Sequence, residues 1–175
     1  MYSKEIARKT SDGRTQSLDN HLDNVAHISS INSKYPSISK LIAYLHDIGK
    51  LSDQFQEYIT NGGERGSVVH AWQGVFLSNE LFSDLSSEAI LLKEIIGFCV
   101  TGHHNHISDG LSTDGSTDYY DKFFNTMDIK YSYDSIKNKV HEKDKIRLLN
   151  LFIEAKQEIK LLLENIRKVY SCKNS

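Results

Sequence analysis

Apolar side chains recur along this chain every three or four residues, the spacing that lines one face of an α-helix. Leu22, Val25, Ala26 and Ile28 mark such a face within Asp19–Ile31, with His21 beside the stripe, four residues before Val25. Ser33–Ser37, which contains the single proline, Pro36, reads as a connection. Ser39 is the expected cap of a second helix whose buried side is Leu41, Ile42, Leu45 and Ile48, with Gly49 as its terminator. Ser52 or Asp53 begins a short helix carrying Phe55, Tyr58 and Ile59, and Asn61–Gly66 is a loop by composition. Helical spacing resumes over Val69–Phe82, with His70 at its start and Trp72, Val75, Phe76 and Leu77 along it. Ser86 or Ser87 opens a helix reaching Val100, in which Gly97 would admit a neighbouring backbone. Asn105–Asp121 is polar and turn-rich, a loop. Ile136–Tyr170 is dense in apolar positions and predicts one long helix or two shorter ones. The pattern as a whole predicts an all-α domain without internal repeats.

A length of 175 residues fits one domain with a proper core, spanning 1–175. No apolar run is long enough for a bilayer, and Met1–Thr10 has no apolar signal core, so no membrane association is expected. Cys99 and Cys172 offer no disulfide framework, and Cys99 reads as a small buried hydrophobe. A reducing, cytoplasmic setting fits. The 21 basic side chains face 23 acidic ones. A protein that grips nucleic acid by its own net field is usually more basic. Arg8, Lys9 and Arg14, and the mixed run Lys137–Lys145, therefore read as solvated surface.

The candidate chemistry lies in the histidines. His46-Asp47, inside Leu45-His46-Asp47-Ile48-Gly49-Lys50, joins an imidazole to a carboxylate at an expected helix end. His103-His104 stands in the same situation after Thr101-Gly102, and His21 and His70 precede and follow the central pair. Imidazole with carboxylate suits manganese, nickel, cobalt, iron or zinc; magnesium remains possible but is poorly served by such a set. The residues together predict a metal-dependent hydrolase. Lys50 is placed either to contact a phosphate oxygen or to lie in solvent. Tyr119-Tyr120 and Phe123-Phe124 can stack on bases, and more often such pairs anchor a loop to its core.

The ordered set Leu18-Asp19-Asn20-His21-Leu22, Leu45-His46-Asp47-Ile48-Gly49-Lys50, His70-Ala71-Trp72-Gln73-Gly74 and Gly102-His103-His104 resembles the HD superfamily of metal-dependent phosphohydrolases. More narrowly it is similar to the HD nuclease domain of the type I CRISPR-associated nuclease-helicase, over about the first two-thirds of the chain. That resemblance implies an HD-domain helical bundle with its metal site at helix ends. It implies two metal positions bridged by Asp47, one completed by His21 and His46, the other by His70, His103 and His104. It implies cleavage of single-stranded DNA in antiviral defence, alongside a superfamily-2 helicase, fused or separate, and a guide-RNA effector complex. No phosphate-binding glycine loop is present, so ATP hydrolysis would belong to the helicase. A phosphohydrolase acting on a nucleotide or cyclic nucleotide, and a non-catalytic helical binding domain, are the alternatives. One departure stands out: the family's late aspartate has no counterpart, since Ile146–Ser175 contains none. Either the chain stops before the helix that carries it, which we favour, or another acid substitutes.

Overall fold

The computed structural model describes Tyr2 and residues 4–64, 66–104 and 133–171. The whole of the predicted 105–121 loop, with Tyr119-Tyr120, and Phe123-Phe124 and Cys172 lie outside the described residues. The first apolar stripe folds as α1 (Leu18–Ile31), capped by the Ser17 hydroxyl, which accepts from the Asn20 N–H. Leu18, Leu22 and Ala26 are its buried line.

The second helix, α2, spans Pro36–Leu45 and begins earlier than predicted. Pro36 sits in its first turn, where a missing N–H costs nothing. Ser39 is not the cap; its hydroxyl donates back to the Tyr35 carbonyl. The free N–H groups of Ser37 and Ile38 instead donate to the Glu158 carboxylate, at 2.9 and 3.0 Å. A cap 120 residues away leaves no local sequence signal, which is why the start was misplaced. The end differs too. Gly49 does not close α2 but lies inside a 3-10 turn, Ile48–Leu51.

Next comes α3 (Asp53–Asn61), with the Ser52 hydroxyl accepting from the Phe55 N–H and Gly62 (φ 82°) allowing the exit. The fourth helix, α4, covers Gln73–Leu81, so His70 precedes it rather than belonging to its first turn. Ser86 caps α5 (Ser87–Gly102) through the Ala89 N–H. A helical stretch at 133–137 leads into α6, a single 30-residue helix over Glu142–Ser171.

The chain is mostly helical, as the spacing predicted, but it opens with a hairpin that the spacing missed. β1 (Ile6–Lys9) pairs antiparallel with β2 (Thr15–Ser17), and a bulge falls between Ile6 and Arg8. Strands of four and three residues are too short to display a two-residue period. Gln56 of α3 holds the hairpin: its amide oxygen accepts from the Ile6 N–H and its NH2 donates to the Ile6 carbonyl.

The core forms where α1, α5 and α6 pack around α2. Leu18, Leu41, Leu45, Leu92, Ile96 and Ile159 are cut off from solvent, each worth roughly 1.5–3 kcal/mol of burial. Phe82 and Phe152 stack face to face at 4.0 Å between centroids, joining the end of α4 to α6. Cys99, expected inside, is exposed on the outer side of α5. Among the described residues no helix is long and apolar enough to cross a membrane.

Candidate metal centre

Two helices end at one point. His46 is the residue after α2, and Asp47 follows it with a turn-like backbone (φ −119°, ψ 12°) that reverses the chain into the 3-10 turn. His103 is the residue after α5, with His104 beside it. His21 reaches the same point from the first turns of α1, and His70 from the segment leading to α4. All six residues singled out as ligands are brought together, with Lys50 as a seventh neighbour.

Their arrangement divides about the Asp47 carboxylate, which is only 3 % exposed. Oδ2 faces His21 Nε2 at 2.7 Å, His46 Nε2 at 3.1 Å and Lys50 Nζ at 2.7 Å. Oδ1 faces His103 Nε2 at 3.3 Å, His70 Nε2 at 3.4 Å and His104 Nε2 at 4.0 Å. The ligand atoms therefore fall into two groups that share one residue: His21, His46 and Asp47, and Asp47, His70, His103 and His104.

The ring tautomers suit a cation. His46 Nδ1 donates to the Ala43 carbonyl at 2.6 Å, and His103 Nδ1 to the Val100 carbonyl at 2.6 Å. His70 Nδ1 lies 3.3 Å from the Val68 carbonyl. A neutral imidazole that spends its proton at Nδ1 presents a lone pair at Nε2, the form a metal takes. Asp47 Oδ1 and His103 Nε2 are both buried without a hydrogen-bond partner. Two buried acceptors 3.3 Å apart repel unless a cation or a proton lies between them. The buried His/Asp group can hold a metal ion, and its donor chemistry fits one.

The electrostatics call for a cation or a shared proton at the same point. Burial works to raise the Asp47 acidity constant, but the surrounding imidazoles of His103, His21, His46 and His70 outweigh it and hold the carboxyl ionised, well below the usual range. Burial, reinforced by His103 and His70, pushes the His104 imidazole down to about 4. His104 Nε2 and His70 Nε2 share a hydrogen bond at 2.7 Å. The His104 side chain is also the most exposed of the set, at 49 %. The centre opens on that side.

Sequence reading missed the groups that hold the ligands in place. A Cβ at Gly49 would stand 2.1 Å from the His70 carbonyl oxygen, and one at Gly74 would stand 2.0 Å from that of Leu45. These glycines let the His46-Asp47 and His70 segments press together backbone to backbone. Gln73, fully buried, donates to the Val69 carbonyl at 3.0 Å and braces the same turn. Phe55 packs against the His70 ring, centroids 4.9 Å apart. The adjacency of Gly49 and Gln73-Gly74 to candidate ligands was the available signal.

Among the described residues no second carboxylate joins either group. Asp144 is buried at the start of α6, 3.8 Å from His141 Nδ1. Glu154 and Glu158 are engaged at the start of α2. Comparison with family models, with curated proteins and with solved structures finds no match to this chain.

Proposed function

We propose that this chain is a metal-dependent phosphodiesterase of HD type that cleaves single-stranded DNA. In that reading it is the nuclease of a type I CRISPR defence system, acting in the cytoplasm with a superfamily-2 helicase and a guide-RNA effector complex. The supporting observation is the division of Asp47, one buried carboxylate whose two oxygens face separate sets of imidazoles. A structural site for one ion needs no such sharing, whereas phosphodiester hydrolysis is served by two cations about 3.5–4 Å apart.

His21, His46 and Asp47 would hold one ion, and Asp47, His70, His103 and His104 the other; manganese, nickel, cobalt, iron and zinc suit these donors. When bound, such ions supply positive charge to phosphate oxygens and acidify a water for attack at phosphorus. The protein's own part is to hold Asp47 ionised and, through the carbonyls of Ala43 and Val100, to turn the Nε2 lone pairs of His46 and His103 toward the centre. Lys50 holds its ammonium 2.7 Å from Asp47 Oδ2, at the edge of the first group, where it would contact a phosphate oxygen. Half-exposed His104 leaves an approach for the strand.

The test is cleavage of circular single-stranded DNA by metal-stripped protein, titrated with manganese, nickel or cobalt, beside Asp47→Ala. Cutting that requires added metal and disappears in the variant is the expected result. Folded, metal-loaded protein that leaves the circle intact but hydrolyses nucleotides would overturn the nuclease reading.

A further inference from the structure

The His70–His104 side of the metal centre opens into a groove of about 1060 Å³ that passes α3 and reaches the β1–β2 hairpin. Its volume lies just above the roughly 300–1,000 Å³ that small-molecule sites occupy. Arg8, Lys9 and Lys50 line it, together with the rings of Tyr58 and Trp72. Among the described lining residues there is no carboxylate. Acidic side chains outnumber basic ones in this chain, 23 to 21, so three cations and no acid among the described lining residues are a local segregation of charge. Net composition, which made Arg8 and Lys9 read as ordinary surface, does not register it.

The hairpin that carries the outer cations is built into the scaffold. Gln56 bonds both polar groups of Ile6 and also donates to the Lys50 carbonyl at 2.7 Å, tying β1 to the turn that bears Asp47. The bulge before Arg8 changes the alternation of the strand, and the consecutive Arg8 and Lys9 both line the groove. Lys9 Nζ donates to the Thr60 carbonyl at 3.2 Å, which holds it at the rim with further N–H donors to spare. Arg8 is exposed and has no carboxylate partner among the described residues.

Resting on the phosphodiesterase reading, we infer that this groove is a track for an extended single strand, in which Arg8 and Lys9 hold phosphates outside the one being cut. Tyr58 and Trp72 supply flat faces on which bases stack without regard to sequence. A polyanion with planar groups fits cations interleaved with rings, and a mononucleotide would leave the hairpin end unused. Arg8 and Lys9 are then specificity residues that select long strands over short ones.

The experiment measures anisotropy of a fluorescein-labelled 15-nucleotide oligothymidylate, and of a labelled dinucleotide, with the full chain in EDTA across a salt series. Arg8→Gln/Lys9→Gln is compared with Lys34→Gln/Lys40→Gln, a pair of equal charge away from the groove. Removing two phosphate contacts should weaken oligonucleotide binding about 10-fold near 0.1 M salt and flatten the log–log salt slope by about 1.4. The dinucleotide should bind far more weakly than the oligonucleotide, and the control pair should match the parent. Equal affinity and slope in the groove variant, an equal loss in the control, or no oligonucleotide binding by the parent would each overturn the inference. Binding is read without turnover, so failure to cut the circle removes the nuclease reading and leaves this result to stand or fall separately.

Discussion

Lys50 Nζ and His21 Nε2 both lie 2.7 Å from the same oxygen of Asp47, and a divalent ion bound by the first group would seek that oxygen as well. An ammonium there is a competitor for the cation, since like charges a few ångströms apart repel by about 4 kcal/mol even at an effective dielectric of 20. The first group has three ligands against four in the second, so its ion is the more easily displaced. Lys50→Met should therefore tighten binding of the more weakly held ion, by roughly 10-fold or more, while reducing cleavage through loss of a phosphate contact. Isothermal titration of the metal-stripped variant beside a cleavage assay checks both halves. Weaker metal binding by Lys50→Met would show that the lysine supports the site. At this scale the sequence was highly legible, because ligand chemistry is a property of the side chain itself. His27 and His141 lie outside both ligand groups.

Between α2 and α4 the ligands depend on two backbone contacts that admit no side chain. Alanine at Gly74 would put a methyl group 2.0 Å from the Leu45 carbonyl oxygen, and Leu45 immediately precedes His46. A carbonyl at a helix end cannot swing aside as a flexible side chain can. Gly74→Ala is expected to cost about 1–3 kcal/mol or more, as overpacked interiors do, and to lower metal affinity by shifting His46. Urea unfolding of the metal-free protein measures the first effect; an unchanged midpoint would mean that the contact yields. The element scale was partly legible. Helix existence followed from the 3.6-residue period, and serines 17, 52 and 86 cap as hydroxyls ordinarily do. The start of α2 was misread because Glu158 caps it from across the bundle, and the hairpin because its strands are shorter than their own signal.

Across the whole molecule the ligand groups act as clamps. They join α1, the end of α2, the segment before α4 and the end of α5, which are separated by tens of residues in the chain. An ion that binds only the folded state stabilises it by mass action: about 2.7 kcal/mol at 100 times its dissociation constant, or roughly 5–10 °C in melting temperature for a domain of this size. Thermal melts in EDTA and in excess manganese should differ by that order in the parent and barely at all in Asp47→Ala. Equal shifts in both proteins would place the bound metal somewhere other than this centre.

The sequence by itself determined which atoms can bind a cation, and that the chain is mainly helical. It also placed the pairs His46-Asp47 and His103-His104 near the ends of apolar helical runs, since the 3.6-residue period is encoded within a few positions, though the stop itself fell before His46 and not at Gly49. Only the tertiary structure decided the hairpin, the glycine contacts beneath His46 and His70, and the basic groove beside the candidate metal centre. Those features join residues far apart in the chain, and no spacing within a single segment records the distance between two segments. Nor does a net charge of −2 record where the charges lie. Folding gathers Arg8, Lys9 and Lys50 on one groove whose described lining holds no acid, and that gathering is a property of the packed molecule alone.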